Sequence, residues 1–177
     1  MKATTIDPNQ AVREAIEAYA AKYDYDVSYM LHMLEHNPAA LQLFQQVIPL
    51  ANCRQHAPLD VFFVAKLAAF RQSDCGACLQ LSIRLALEAG VSRDIVVGAV
   101  KGTPALPPHL ADVQRFVQSL DDYSAETNDL RKTLRARYGE AALIEIALVV
   151  TAAYLFPRTK RVLGYFESCQ LMQFDFE

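Results

Sequence analysis

Several things are missing from this chain of 177 residues. No run of lysine and arginine occurs, and the net charge of -3 supplies no overall positive field, so a phosphate backbone has nothing to hold it. Nucleic acid is not an expected partner. The opening MKATTIDPNQ carries charge and turn residues where a secretory leader needs an apolar stretch, which places the protein in the cytoplasm. The longest apolar run, Ala141 to Phe156, contains Glu145 and falls short of the ~20 residues of a bilayer crossing. It reads as a buried core helix, with no membrane partner. Sustained period-two alternation, low-complexity segments and internal repeats are absent too, which removes the usual signatures of β architecture.

What is present is helical spacing. Apolar residues make up 53% of the chain, enough for one domain spanning residues 1–177, and the fold class is all-α. Asp7-Pro8 and Asn37-Pro38 each offer an N-cap followed by proline at the first helical position. Ser92 and Ser124 can cap later helices, while Gly90 and Gly139 can end the preceding ones. The map is helices near 8–22, 25–36, 38–53, 58–71, 74–89, 93–101, 108–121, 124–138 and 140–166. GTPALPPHL at 102–110 is the one proline-rich break, read as a loop within the domain.

Chemistry is concentrated in SDCGACLQLS, residues 73–82, where Cys75 and Cys78 stand three apart. With Ser73 or Asp74 as cap and a helix beginning at Cys75, both thiols fall in the first turn on one face, within disulfide reach. Unpaired amides and the positive end of the helix dipole favour a thiolate there. The opposing reading is a small buried apolar pair. A zinc site is disfavoured, because Cys53 and Cys169 would have to converge on the pair from distant helices. Upstream, Asp60, Phe63, Val64, Leu67 and Arg71 share a helical face, so Arg71 lies one turn before Cys75 and can support a thiolate, which Asp74 would oppose. Both charges also read as solvated surface groups.

These residues resemble a known family. Pro58 through "FFVAKLAAFRQSDCGACLQLSIRLALEAGVSRDIV" is similar to the core of the AhpD-like, carboxymuconolactone decarboxylase-type proteins: helix, turn, CxxC, long helix, glycine cap and short helix. "LEHNPAALQLF" at 34–44 resembles the family's upstream helix junction, and "LRARYGEAALIEIALVVTAAYLFPRTKRVLG" at 134–164 its C-terminal helices. The resemblance implies an AhpD-like helical domain assembled as a trimer or higher homo-oligomer. It implies a peroxidase or disulfide reductase activity on a peroxide or small disulfide, with a thiol-protein electron donor and no bound cofactor or metal. In the family motif the second cysteine attacks and the first resolves, which makes Cys78 the nucleophile here and Cys75 its partner, although the helix terminus favours Cys75 as the lower-pKa thiol.

The family's proton relay does not carry over. Phe63 stands where its Glu is found and Ser82 where its His is found. Ser82 can donate to the Cys78 sulfur but is a poor proton acceptor. Asp60, one turn before Phe63, can substitute for the carboxylate, and His56 or His109 can fold over the pair from loops. Loss of the relay also keeps open a non-enzymatic oligomeric binding or scaffold role. Decarboxylation is disfavoured by the CxxC itself.

Elsewhere, His32 and His36 have one-face spacing but lack the Glu of HExxH and a third ligand, so they read as a surface pair. Tyr19, Tyr23, Tyr25 and Tyr29 read as packing or interface aromatics.

Overall fold

A computed structural model describes residues 8–102, 106–122, 124–165, 167, 174 and 176. Among these the secondary structure is helical throughout: α1 (Pro8–Tyr23), α2 (Ser28–His36), α3 (Pro38–Gln45), α4 (Leu59–Gln72), α5 (Gly76–Glu88), α6 (Arg93–Lys101), α7 (Pro108–Gln118) and α8 (Ala125–Val162), with a 3-10 turn at Ile48–Asn52. The all-α expectation holds.

Most boundaries follow from local chemistry. Asn37 Oδ1 accepts from Ala40 N at 3.1 Å, Ser92 Oγ from Ile95 N at 3.4 Å and Ser124 Oγ from Thr127 N at 3.3 Å. All three are the expected caps. The fourth, Asp7, lies outside the described residues. Gly90, at φ +95, closes α5: its N–H donates to Leu87 O, and Val91 N donates to Ala86 O, the paired bonds of a left-handed glycine terminus. Gly139 (φ 84, ψ 168) leaves the helical conformation inside α8 and marks a kink between two helical stretches, at the expected break.

Two expected helices change shape. The one expected over 38–53 ends at Gln45, because Pro49 has no N–H and disfavours helical backbone before it, leaving a tight turn to finish the segment. The one expected from 25 starts at Ser28: Asp24 adopts φ 46, and Asp26 Oδ1 accepts from Ser28 N at 3.0 Å and from Ser28 Oγ at 2.6 Å.

Helix α4 is the centre of the molecule. Every residue from Val61 to Phe70 is buried, so the expected single stripe is in fact an all-round apolar surface packed by α5, α6, α7 and α8. By length and composition alone α8 is long and apolar enough to cross a membrane, more than the short run suggested. Its second half nevertheless presents Ala142, Ile146, Val149 and Ala153 as a buried face within the same core as α4. Glu145, on that face, accepts from the backbone N–H groups of Gln55, His56 and Ala57 at 2.8 to 3.1 Å, tying the segment before α4 to α8. Burial opposes the charge on Glu145, but the amides of Ala57, Gln55 and His56 outweigh it and hold the carboxyl below its ordinary range.

Candidate dithiol site

The site begins where α4 stops. Ser73 closes α4 and its Oγ donates to Phe70 O at 2.9 Å. Asp74 follows in the left-handed conformation, φ 53. Neither caps the next helix. Cys75 itself takes the extended N-cap position, φ -123 and ψ 94, and α5 begins one residue later than expected, at Gly76. The short turn is pinned from outside: Arg161 of α8 donates to Ser73 O at 2.8 Å and to Asp74 O at 2.6 Å.

This arrangement brings the two sulfurs together. Cys75 and Cys78 form a disulfide with their Cα atoms 5.3 Å apart. Cys75 is 0% exposed and Cys78 2%. The first amides of α5 are unpaired within the helix, and a helix N-terminus favours negative charge on sulfur once the bond is reduced.

Of the two cysteines, Cys78 is the one in the wall of a cavity of about 280 Å³, which also carries Tyr25, Tyr29, Lys66, Phe70 and Ser82. Ser82 is buried there and lines the cavity. Tyr25 Oη lies 3.7 Å from Cys78 Sγ. Burial foremost, then the neighbouring Tyr29, raises the Tyr25 phenol well above its ordinary pKa. It therefore keeps its proton and serves as a donor toward a thiolate.

The other expected auxiliaries lie elsewhere. Asp60 uses one carboxylate oxygen on Val61 N at 2.8 Å and holds the other 3.9 Å from His109 Nε2. The two candidates meet each other, and neither lines the cavity at Cys78. The reason is spatial: Asp60 starts α4 and the cysteines follow its end, about 20 Å along the axis at 1.5 Å per residue. His56 is exposed, and its N–H is committed to Glu145. Arg71 is exposed and its guanidinium lies over Gly102, where a Cβ would approach Nη1 to 2.8 Å. Phe63 is buried, with the Lys66 ammonium 5.7 Å above its ring.

Two lysines were not anticipated. Lys66 in α4 is 3% exposed, with Nζ donating to Ala51 O at 3.0 Å and Asn52 Oδ1 at 3.1 Å. Burial lowers its pKa from 10.5 to about 8. Lys160 in α8 is 0% exposed, lies 3.7 Å from Asp26, and stands over the Tyr25 ring at 4.4 Å and the Tyr29 ring at 5.0 Å. A lone lysine inside FFVAKLAAF was the available signal for Lys66; nothing separates Lys160 from its basic neighbours Arg158 and Arg161 in the sequence.

The rings of His32 and His36 lie 4.5 Å apart between centroids, tilted by 56°, on a larger groove of about 880 Å³ along α2, α3 and α8. Among the described residues no group of three or more metal-ligating side chains forms. Cys53 is a free, half-buried thiol, and Cys169 lies outside the described residues. Comparison of the chain with protein-family models, curated proteins and solved structures finds no match.

Proposed function

We propose that the protein is an AhpD-like thiol oxidoreductase in which Cys75 and Cys78 cycle between dithiol and disulfide while reducing a peroxide or a small disulfide. The observation that carries this reading is the pair at the N-terminus of α5, with Cys78 in the wall of a cavity and a protonated phenol 3.7 Å from its sulfur. Cys78 is the sulfur a substrate can approach, which favours it as nucleophile over Cys75.

With a peroxide, the Cys78 thiolate attacks one oxygen, the O–O bond breaks, and the departing alkoxide takes a proton to leave as alcohol. The Cys75 thiol then attacks the resulting Cys78 sulfenic acid, forming the S–S bond and releasing water; the two electrons come from the sulfurs. With a disulfide, the same thiolate forms a mixed disulfide, Cys75 displaces it, and two substrate thiols leave. An external dithiol returns the protein to its reduced form. A cytoplasmic, reducing setting supplies such donors.

Assembly into a homo-oligomer is part of the proposal. Ile144 and Val162, 54% and 85% exposed, lie on a face of α8 that another copy would cover. Sedimentation showing only monomer at working concentration removes that part.

A second reading, a binding protein with an inert pair, is favoured by the burial of both cysteines and by Phe63 in place of a relay carboxylate. The redox midpoint separates the two. After equilibration in glutathione buffers, alkylation and intact mass should show two thiols appearing together at roughly -270 to -200 mV. Thiols that alkylate only on unfolding would leave the binding reading.

A further inference from the structure

The cavity at Cys78 is apolar over most of its wall, and its mouth is flanked by Tyr19 and Ile48, which are 41% and 37% exposed. Among its described lining residues Lys66 is the one charged side chain. An ammonium has three N–H donors, and Lys66 spends two on neutral oxygens, Ala51 O and Asn52 Oδ1. No carboxylate of the described chain stands within ion-pair distance of it, in contrast with Lys160 and Asp26. A buried cation without an anion is expensive, and a ligand that brings the anion removes that expense. Burial as the cause of the lowered Lys66 pKa agrees with this.

We propose that this cavity binds an amphipathic carboxylate, with the anionic head on Lys66 and the apolar body among Tyr25, Tyr29, Phe70 and Phe156 beside Cys78. The volume of about 280 Å³ suits a small aryl or medium-chain acid and is too small for a folded peptide. The inference deepens the oxidoreductase reading, since it gives the substrate class of the same site, but binding needs no turnover.

The test is calorimetric titration of the oxidised full-length protein with three probes sharing one body: 4-phenylbutyrate, 4-phenylbutanol and 4-phenylbutylamine. The acid should bind about tenfold more tightly than the alcohol, a difference of about 1.4 kcal/mol, with the amine weakest. In Lys66→Met and Lys66→Gln the acid should lose that advantage while the alcohol binds as before. Equal binding of acid and alcohol to the wild-type chain would overturn the proposal, as would no binding of any probe at millimolar concentration. That comparison stands even if a variant fails to fold. A preserved acid preference in a folded Lys66→Met would overturn it as well. Because the oxidised protein is titrated, acid binding together with an inert pair would sink the redox reading and leave this one standing.

Discussion

Two buried lysines, Lys160 over the rings of Tyr25 and Tyr29 and Lys66 in the wall of the cavity those tyrosines also line, differ in what surrounds them. Lys160 has a carboxylate 3.7 Å away and two aromatic faces within 5.0 Å. Lys66 has a carbonyl and an amide oxygen. The first ammonium has its counter-charge inside the fold, which makes it part of the framework. The second is held in place but not neutralised, a cost to stability that makes sense at a binding site.

Removing the framework lysine should give the largest effect. Lys160→Ala leaves Asp26 without its cation and empties a fully buried volume against Tyr25 and Tyr29. Since Asp26 retains 30% side-chain exposure, the loss should fall at the low end for a broken buried pair, about 3 kcal/mol in denaturant unfolding. A loss under about 1 kcal/mol would place both lysines in one class and dissolve the contrast.

Lys66→Met should behave oppositely, remaining as stable as wild type or becoming more stable at pH 7, because a similar volume is kept and an uncompensated charge disappears. The pH dependence sharpens this. With a folded pKa of about 8 against an ordinary 10.5, the unfolded chain holds a proton that the native chain has released between those values. Stability contributed by this group therefore rises with pH across that window; the penalty is fully present below about pH 8. The full rise corresponds to about 3 kcal/mol. Measured as wild type minus Lys66→Met, which cancels the tyrosines, a flat difference from pH 7 to 10 would show that Lys66 is not a charge held at a cost.

Tyr25→Phe addresses the Cys78 sulfur. It keeps the ring under Lys160 and removes only the hydroxyl at 3.7 Å from Cys78. A hydrogen bond to a charged acceptor contributes roughly 1.5–3 kcal/mol, so the Cys78 thiol pKa should rise by about one to two units. The pH profile of iodoacetamide alkylation in a Cys75→Ser background reads it; an unchanged profile would mean the phenol does not stabilise the thiolate.

Much of this architecture was legible in advance, and the failures have physical reasons. Caps and terminators announce themselves because a side chain must satisfy a nearby backbone group, and Asn37, Ser92, Ser124 and Gly90 do so as expected. The CxxC was equally plain, since three-residue spacing at a helix start fixes proximity. Its surroundings were not. Helical phase places Asp60 and Arg71 on the cysteines' side of α4 but says nothing of axial distance, and Asp60 ends beside His109. Tyr25, in the loop before α2, and Lys66, in α4, reach the cavity at Cys78 only through packing, as does Lys160 of α8 in reaching the Tyr25 ring. The cap before Cys75 failed because Ser73 was already used in ending α4.

The smallest effect concerns the turn that the framework region also organises. Asp74 sits at φ 53, where a Cβ is mildly strained, so Asp74→Gly relieves that strain while adding freedom to the unfolded chain. Its carboxylate lies 4.0 Å from Arg161 with both side chains substantially exposed, which contributes little. The two backbone effects nearly cancel, and stability should change by no more than about 0.5 kcal/mol. Arg161→Ala differs because it removes hydrogen bonds to the carbonyls of Ser73 and Asp74, the main-chain contacts that hold Cys75 at the head of α5. If those contacts set the sulfur geometry, the dithiol midpoint should move in Arg161→Ala and stay put in Asp74→Gly. A midpoint that moves in Asp74→Gly alone would shift control of the turn from α8 to the residue itself, and the region around Lys160 would then hold up the cavity wall without governing the disulfide.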